Sequence, residues 1–200
     1  MEQSQVNQKQ LIAQFAGKQF RKFGIRSVSM DDIAQQLGIS KKTIYQFFEN
    51  KKELVRVFVV QFINGEKNDI ENMASTDQNA IETLTNIYSY AQETLKKFSK
   101  SFMYDLYKYY RSEWDLVQGF HKEYLVGLLV DNLKQGKTEG LYIKDINEVL
   151  IKLHVESLSM IMNEDLFPNE KYDKQKLIKD YLTYHLKAIS TEKGKKTFEN

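Results

Sequence analysis

A chain of 200 residues without cysteine can bury a sizeable core in one or two small domains, but it excludes a disulfide framework, thiolate metal sites and Cys nucleophiles. The formal charge of +2 is near balance, yet residues 1–65 carry ten Lys/Arg against five Asp/Glu, so positive charge gathers at one end, as a nucleic-acid footprint requires. The polar start MEQSQVNQKQ is no signal peptide, and the longest apolar runs, Leu54–Ile63 and Tyr124–Val130, fall short of the ~18 residues of a membrane span, so a soluble cytoplasmic protein is expected.

Only one proline, Pro168, interrupts the chain, and β-branched alternation is nowhere sustained. Helical spacing recurs instead and predicts an all-α fold of about nine helices. The first helix places Ile12, Phe15, Ala16, Phe20 and Phe23 on one face, and Gly24 ends it. Residues 29–54, SMDDIAQQLGISKKTIYQFFENKKEL, then predict two short helices joined by a tight turn. Ser29 can cap the first, with Asp32 three residues on, and Ile33, Ala34 and Leu37 give that helix a buried side. Gly38 suits a left-handed turn, Ile39 packs back, and Ser40 caps the second helix, roughly Lys41 to Phe48. This is the layout of a helix-turn-helix.

The second helix divides its sides by chemistry. Ile44, Phe47 and Phe48 can face a core, while Lys42, Thr43 and Gln46 fall on the other side. Lys can donate to guanine, Gln can pair with the adenine edge, and Thr can serve bases or phosphate. Tyr45 at the flank could reach a phosphate oxygen. Asn50 with Glu53 reads as a further capping box, opening a helix whose first residues are Lys51 and Lys52, a natural seat for a DNA phosphate. The bland alternative is a pair of amphipathic helices with a solvated polar face. The succession of cap, glycine, second cap, basic face and third cap favours DNA.

Residues Ser29–Leu54 resemble the DNA-binding signature of the TetR family of bacterial transcription regulators. The matching positions are Ser29, Ile33-Ala34, Gly38, Thr43-Ile44-Tyr45, Phe48, Lys51 and Leu54, preceded by Phe20 and Phe23-Gly24-Ile25. Two positions depart: Lys42 replaces the usual small residue, and Phe47 replaces His or Tyr. Lys42 adds a cation at the groove, and Phe47 removes a hydrogen bond to phosphate. Beyond this first part of the chain only the helical layout is similar. The resemblance implies a three-helix DNA-binding domain over 1–50 and a helical ligand-binding and dimerisation domain over 51–200. The DNA-binding set is then Ser29, Lys41, Lys42, Thr43, Tyr45, Gln46 and Lys51.

The fourth helix, about Lys51 to Met73, is apolar nearly all round at its start and reads as a connector between head and body. Ser75-Thr76-Asp77 offers caps for a fifth helix through Ile81, Leu84, Tyr88, Ala91, Leu95 and Phe98. A sixth spans about Ser101–Arg111, and a seventh runs from near Ser112 to Gln135. Asp145 with Glu148 opens an eighth that reaches about Asn163. The ninth, about Asp173–Ile189, ends before a basic polar tail expected to fray.

Aromatic residues crowd Phe98–Tyr110 and Trp114–Tyr124 and suit an apolar pocket with a few polar tips. By resemblance, Phe62, Tyr88, Phe102, Tyr107, Trp114, His121 and Tyr124 are candidate lining residues for a small apolar or aromatic effector; ordinary core packing is the alternative for each. The apolar stripes of the last two long helices are wider than one contact needs, and in the family these helices pair across a two-fold axis. A thick monomer core is the other reading of those stripes.

These features predict a ligand-responsive homodimeric repressor on a palindromic double-stranded DNA operator. No catalytic residue, metal site or cofactor is expected, because His121, His154 and His185 are scattered and no phosphate-cradling Gly loop exists. A transcriptional activator, or a helical interaction module with a vestigial DNA head, are the rival readings.

Overall fold

The computed structural model describes residues 2–74, 77–168 and 170–198; among these the chain is helical, and its only bridge pairing is an isolated antiparallel one between Tyr142 and Ser190. The chain forms two compact units, Met1–Glu66 with Lys97–Val117, and Lys67–Lys96 with Gln118–Asn200.

The first unit holds α1 (Glu2–Phe23), α2 (Met30–Leu37), α3 (Lys41–Phe47), the first part of α4 (Lys51–Ala74), α6 (Lys100–Tyr109) and the start of α7 (Arg111–Phe120). Its core uses most of the predicted periodic positions, but Phe23, expected on the apolar face of α1, is 49% exposed. Ile12, Ala16 and Phe20 of α1 meet Ile33, Ile44, Phe48, Leu54, Val55 and Phe58, and Phe102, Leu106 and Trp114 close the same cluster. Phe58 sits edge-on to both Phe20 and Phe102, the quadrupole-favoured arrangement for neighbouring rings.

The second unit holds the rest of α4, α5 (Ala80–Lys96), a π turn (His121–Leu125), α8 (Val126–Thr138), α9 (Val149–Met162), α10 (Lys174–Ile189) and α11 (Glu192–Phe198). Helix α5 packs on α8 and α10, and α9 packs on α8 and α10. Their apolar faces join Ile81, Leu84, Tyr88, Leu133, Tyr142, Ile151, Val155, Ile178, Leu182 and Leu186. Tyr142 is fully buried, and its hydroxyl lies 3.0 Å from the Ala80 carbonyl and 3.1 Å from Asn132 Oδ1.

Several boundaries differ from the sequence expectation. Of the expected caps of α5, Ser75 and Thr76 lie outside the described residues; the cap is Asn79, whose Oδ1 accepts from Ile81 and Glu82 N–H at 3.0 Å each. Helix α9 starts at Val149, not Asp145, and Asn147 Oδ1 accepts the Val149 N–H at 2.9 Å. The chain ahead of it is drawn into extended contact, since Ile143 N–H donates to the Ile189 carbonyl at 2.9 Å. The expected long seventh helix is α7 and α8 joined through the π turn, which no residue pattern announced. The tail expected to fray is helical as α11, with Gly194 buried and Phe198 packed on the second core. Thr191 holds it there, donating to the Gly140 carbonyl at 2.9 Å and accepting from Gly194 N–H at 3.1 Å.

Candidate nucleic-acid interface

The α2 capping box forms as the sequence predicts. Ser29 Oγ accepts the Asp32 N–H at 3.0 Å, and Asp32 Oδ2 accepts the Ser29 N–H at 2.8 Å. The Asp32 carboxylate also accepts the Ser29 hydroxyl at 2.7 Å, and the hydroxyl and backbone N–H of Ser29 together favour the anion, so its pKa lies below the ordinary Asp value. Helix α2 stops at Gly38, with φ 66° and ψ 26°, a left-handed conformation that a Cβ would disfavour. Ile39 N–H reaches back to the Ala34 carbonyl at 3.0 Å, and the chain re-enters helix at Ser40, whose Oγ accepts the Thr43 N–H at 3.0 Å.

Helix α3 is seated by Ile44 and Phe48, each 0% exposed, with Phe47 half-buried beside them. Burial of such a side chain stabilises by about 1.5–3 kcal/mol, enough to fix which side of a two-turn helix faces out. Lys42 and Gln46 occupy that outer side, exposed and, among the described residues, without a hydrogen bond or ion pair. Tyr45 is 44% exposed at the flank. Thr43 is half-buried, with its hydroxyl 2.8 Å from Ser40 Oγ. Lys41 differs from its neighbours: its ammonium pairs with Asp31 of α2 at 2.8 Å, which raises its pKa.

Lys51 stands at the first turn of α4, half-buried, with Nζ 5.9 Å from the Phe20 ring centroid. Burial lowers its pKa, while the carboxylates of Asp105 and Asp32 act against that and Arg26 adds to it. The second half of the expected Asn50–Glu53 box is altered. Asn50 Oδ1 accepts the Glu53 N–H at 3.0 Å, but the Glu53 carboxylate takes the Glu49 N–H at 2.6 Å and Lys9 Nζ at 2.9 Å. Sequence spacing could not announce Lys9, Arg26 or Asp105 as neighbours of this face, because they come from distant parts of the chain.

The seven candidate effector residues separate into groups. Phe62 and Phe102 both contact Phe98, and Tyr107 lies edge-on to Trp114 at 5.5 Å, all in the first unit. In the second unit Phe120 brings His121 and Tyr124 together, stacking on Tyr124 at 5.2 Å. Desolvation pulls His121 down to about 4, so it is neutral at pH 7. Tyr88 stands with neither set: its hydroxyl lies 3.0 Å from His154 Nε2 and 2.6 Å from His185 Nδ1. With one hydroxyl proton it donates to one ring and accepts N–H from the other. The two imidazoles stack at 3.6 Å, and His154 Nδ1 is buried without a hydrogen-bond partner.

A capped, glycine-turned pair of helices offering Lys42 and Gln46 on an apolar base is a DNA-binding helix-turn-helix. Residues 11–57 match the family model of bacterial regulatory proteins, tetR family, so the part of the chain that holds the helix-turn-helix is similar to the DNA-binding region of those regulators. The chain is 26% identical over 144 residues to the HTH-type transcriptional regulator YvaF of Bacillus subtilis, covering 70% of this chain and 73% of that protein. Over 194 residues it is 21% identical to the HTH-type transcriptional repressor KstR2 of Mycolicibacterium smegmatis, covering 92% of each. Its fold is similar to that of a transcriptional regulator from Cytophaga hutchinsonii, with a TM-score of 0.73 at 18% identity, over 90% of this chain and 97% of that one.

Proposed function

We propose that the protein is a homodimeric, ligand-responsive repressor that binds a palindromic operator through two copies of α3. The observation that carries this reading is the exposure of Lys42 and Gln46 on a helix whose opposite side, Ile44 and Phe48, is fully buried. Lys42 and Gln46 read base edges, with Lys41 beside them once it leaves Asp31; Ser29, Thr43, Tyr45 and Lys51 set register on phosphates. Residues 1–50 act as the DNA-binding domain and 51–200 as the ligand-binding and dimerisation domain.

Pairing through α9 and α10 is supported by the apolar side chains these helices leave uncovered. Val149, Leu150, Leu153 and Met160 are each at least half exposed on α9, and Tyr184 is 68% exposed on α10. Two heads then read two half-sites, which one short helix cannot replace. Repression is favoured because KstR2, alike over most of both chains, is named a repressor. A small apolar or aromatic effector suits the aromatic surfaces that carry a few polar tips, and it releases DNA only by binding better to a conformation with wrongly spaced heads. The site is one of binding, not catalysis, and the protein works in the cytoplasm; no helix among the described residues is long and apolar enough to cross a membrane.

The test compares Lys42→Ala with Lys51→Ala on an operator duplex selected from a random pool and on a random-sequence duplex. Lys42→Ala is expected to relax specificity, losing about 1–3 kcal/mol on the operator alone. Lys51→Ala is expected to weaken both duplexes alike and to reduce the salt slope by about one. Equal losses for both variants on both duplexes would remove the proposed division between base and phosphate contacts.

A further inference from the structure

Helix α6 lies far along the chain from the helix-turn-helix, yet the structure ties it to the loop that leads into α2. Ser99, the cap of α6, donates its N–H to the Arg21 carbonyl at 2.8 Å. Gly24 turns the chain out of α1 at φ 89°, and a Cβ there would lie 2.9 Å from Ser101 Cβ and 3.2 Å from Asp105 Oδ2. Two residues on, the Arg26 N–H donates to Asp105 Oδ2 at 2.8 Å, and the Arg26 guanidinium rests 4.4 Å from the Tyr109 ring centroid. Asp105 and Tyr109 are four apart, on one side of α6, so they grip the backbone and the side chain of the same loop residue. Three residues further along, Ser29 caps α2.

Asp105 is 7% exposed, and its charge is felt by Lys51. A carboxylate beside a phosphate seat opposes DNA electrostatically, so its presence calls for a compensating role. We propose that Asp105 is a positioning residue for DNA binding, fixing the α1–α2 loop so that the capped start of α2 and Lys51 meet the phosphate backbone together. The proposal rests on the reading of Ser29 and Lys51 as phosphate contacts. It extends the DNA-binding machinery beyond residues 11–57, which match the family model, into a helix outside that match. The hydrogen bond is charge-assisted, and loss of such a bond to a buried carboxylate is worth about tenfold or more in an equilibrium it controls.

The sign of the effect separates positioning from simple electrostatics. Asp105→Asn keeps an oxygen that can accept the Arg26 N–H but removes the charge, whereas Asp105→Ala removes both. Dissociation constants for the selected operator duplex are measured by fluorescence anisotropy across a salt series, with Lys51→Ala alongside. Positioning predicts that Asp105→Ala binds about tenfold more weakly while Asp105→Asn stays within about threefold of the parent. It also predicts that the Arg26 amide exchanges with solvent faster in Asp105→Ala alone. Should Asp105→Ala lack a cooperative thermal transition, Tyr109→Ala decides, since that side chain is 45% exposed and its loss is expected to weaken binding about threefold. Tighter binding by both Asp105 variants, or unchanged binding by Asp105→Ala or by Tyr109→Ala, overturns the proposal. If Lys51→Ala leaves affinity and salt slope untouched, the underlying phosphate reading is what has failed.

Discussion

His154 and His185 carry the sharpest prediction at the level of single residues. Burial, with His185 adding to it, pulls His154 down to about 3, and burial alone brings His185 to about 4. In an unfolded chain an imidazole titrates near 6.5, so below about that pH the unfolded state takes up protons that the folded state refuses. Stability is therefore complete above about pH 6.5 and drains as pH falls towards 4. Thermal midpoints measured from pH 7.5 to 4.5 should decline across that window. The double variant His154→Gln with His185→Gln should start lower and decline less, keeping only the share of His121; a parallel decline would deny these rings the effect. Gly38 supplies a second case. A Cβ there meets nothing within 4 Å, so the loss for Gly38→Ala is conformational, about 1 kcal/mol. Urea titration gives the number, and a loss above about 3 kcal/mol would point to a clash the structure does not contain.

At the level of elements, the contrast between what the sequence announced and what it concealed follows the range of the interactions. The caps at Ser29 and Ser40 and the turn at Gly38 were readable because every partner lies within a few residues, and the buried pair Ile44 and Phe48 because a four-residue spacing marks one side of a helix whatever it packs against. The start of α9 was not, since it depends on Ile143 pairing with Ile189 across the fold. Nor was α11: its composition, EKGKKTF, is that of a solvated tail, and its order comes from Thr191 holding Gly140 and Leu141. Of the candidate DNA residues, Lys42, Tyr45 and Gln46 stand exposed on α3, whereas the pairing of Lys41 with Asp31 depends on how α2 and α3 meet. The effector set was drawn by resemblance and from aromatic density, and neither tells a lining residue from a core one. Helix α8 offers a test of close packing: a Cβ on Gly136 would overlap the Tyr142 ring. That ring is fully buried and its hydroxyl is held at Ala80 and Asn132, so it has little freedom to yield. Gly136→Ala should cost about 1–3 kcal/mol by overpacking, while Gly127→Ala, which meets nothing within 4 Å, should be neutral or stabilising.

For the molecule as a whole, the proposed pairing makes stability a function of concentration. A dimer that buries Val149, Leu150, Leu153 and Met160 links folding to association, so the thermal midpoint should rise with protein concentration. Leu153, 59% exposed, is the site to probe: Leu153→Glu should give a monomer by sedimentation and abolish the concentration dependence while α3 stays folded. Affinity for the selected operator should fall steeply in that variant, since one head holds one half-site. A concentration-independent midpoint in the parent, with the mass of one chain, would return these stripes to the monomer reading.

The single tryptophan of the chain, Trp114, lies in the core of the first unit, 7% exposed and edge-on to Tyr107. Its fluorescence is therefore a native reporter of the body that carries the helix-turn-helix, while far-ultraviolet ellipticity sums every helix of the chain. Unfolding followed by both signals distinguishes one cooperative transition from two, because the second unit contributes no indole emission. The protein thus comes already labelled for asking whether its reading head melts by itself.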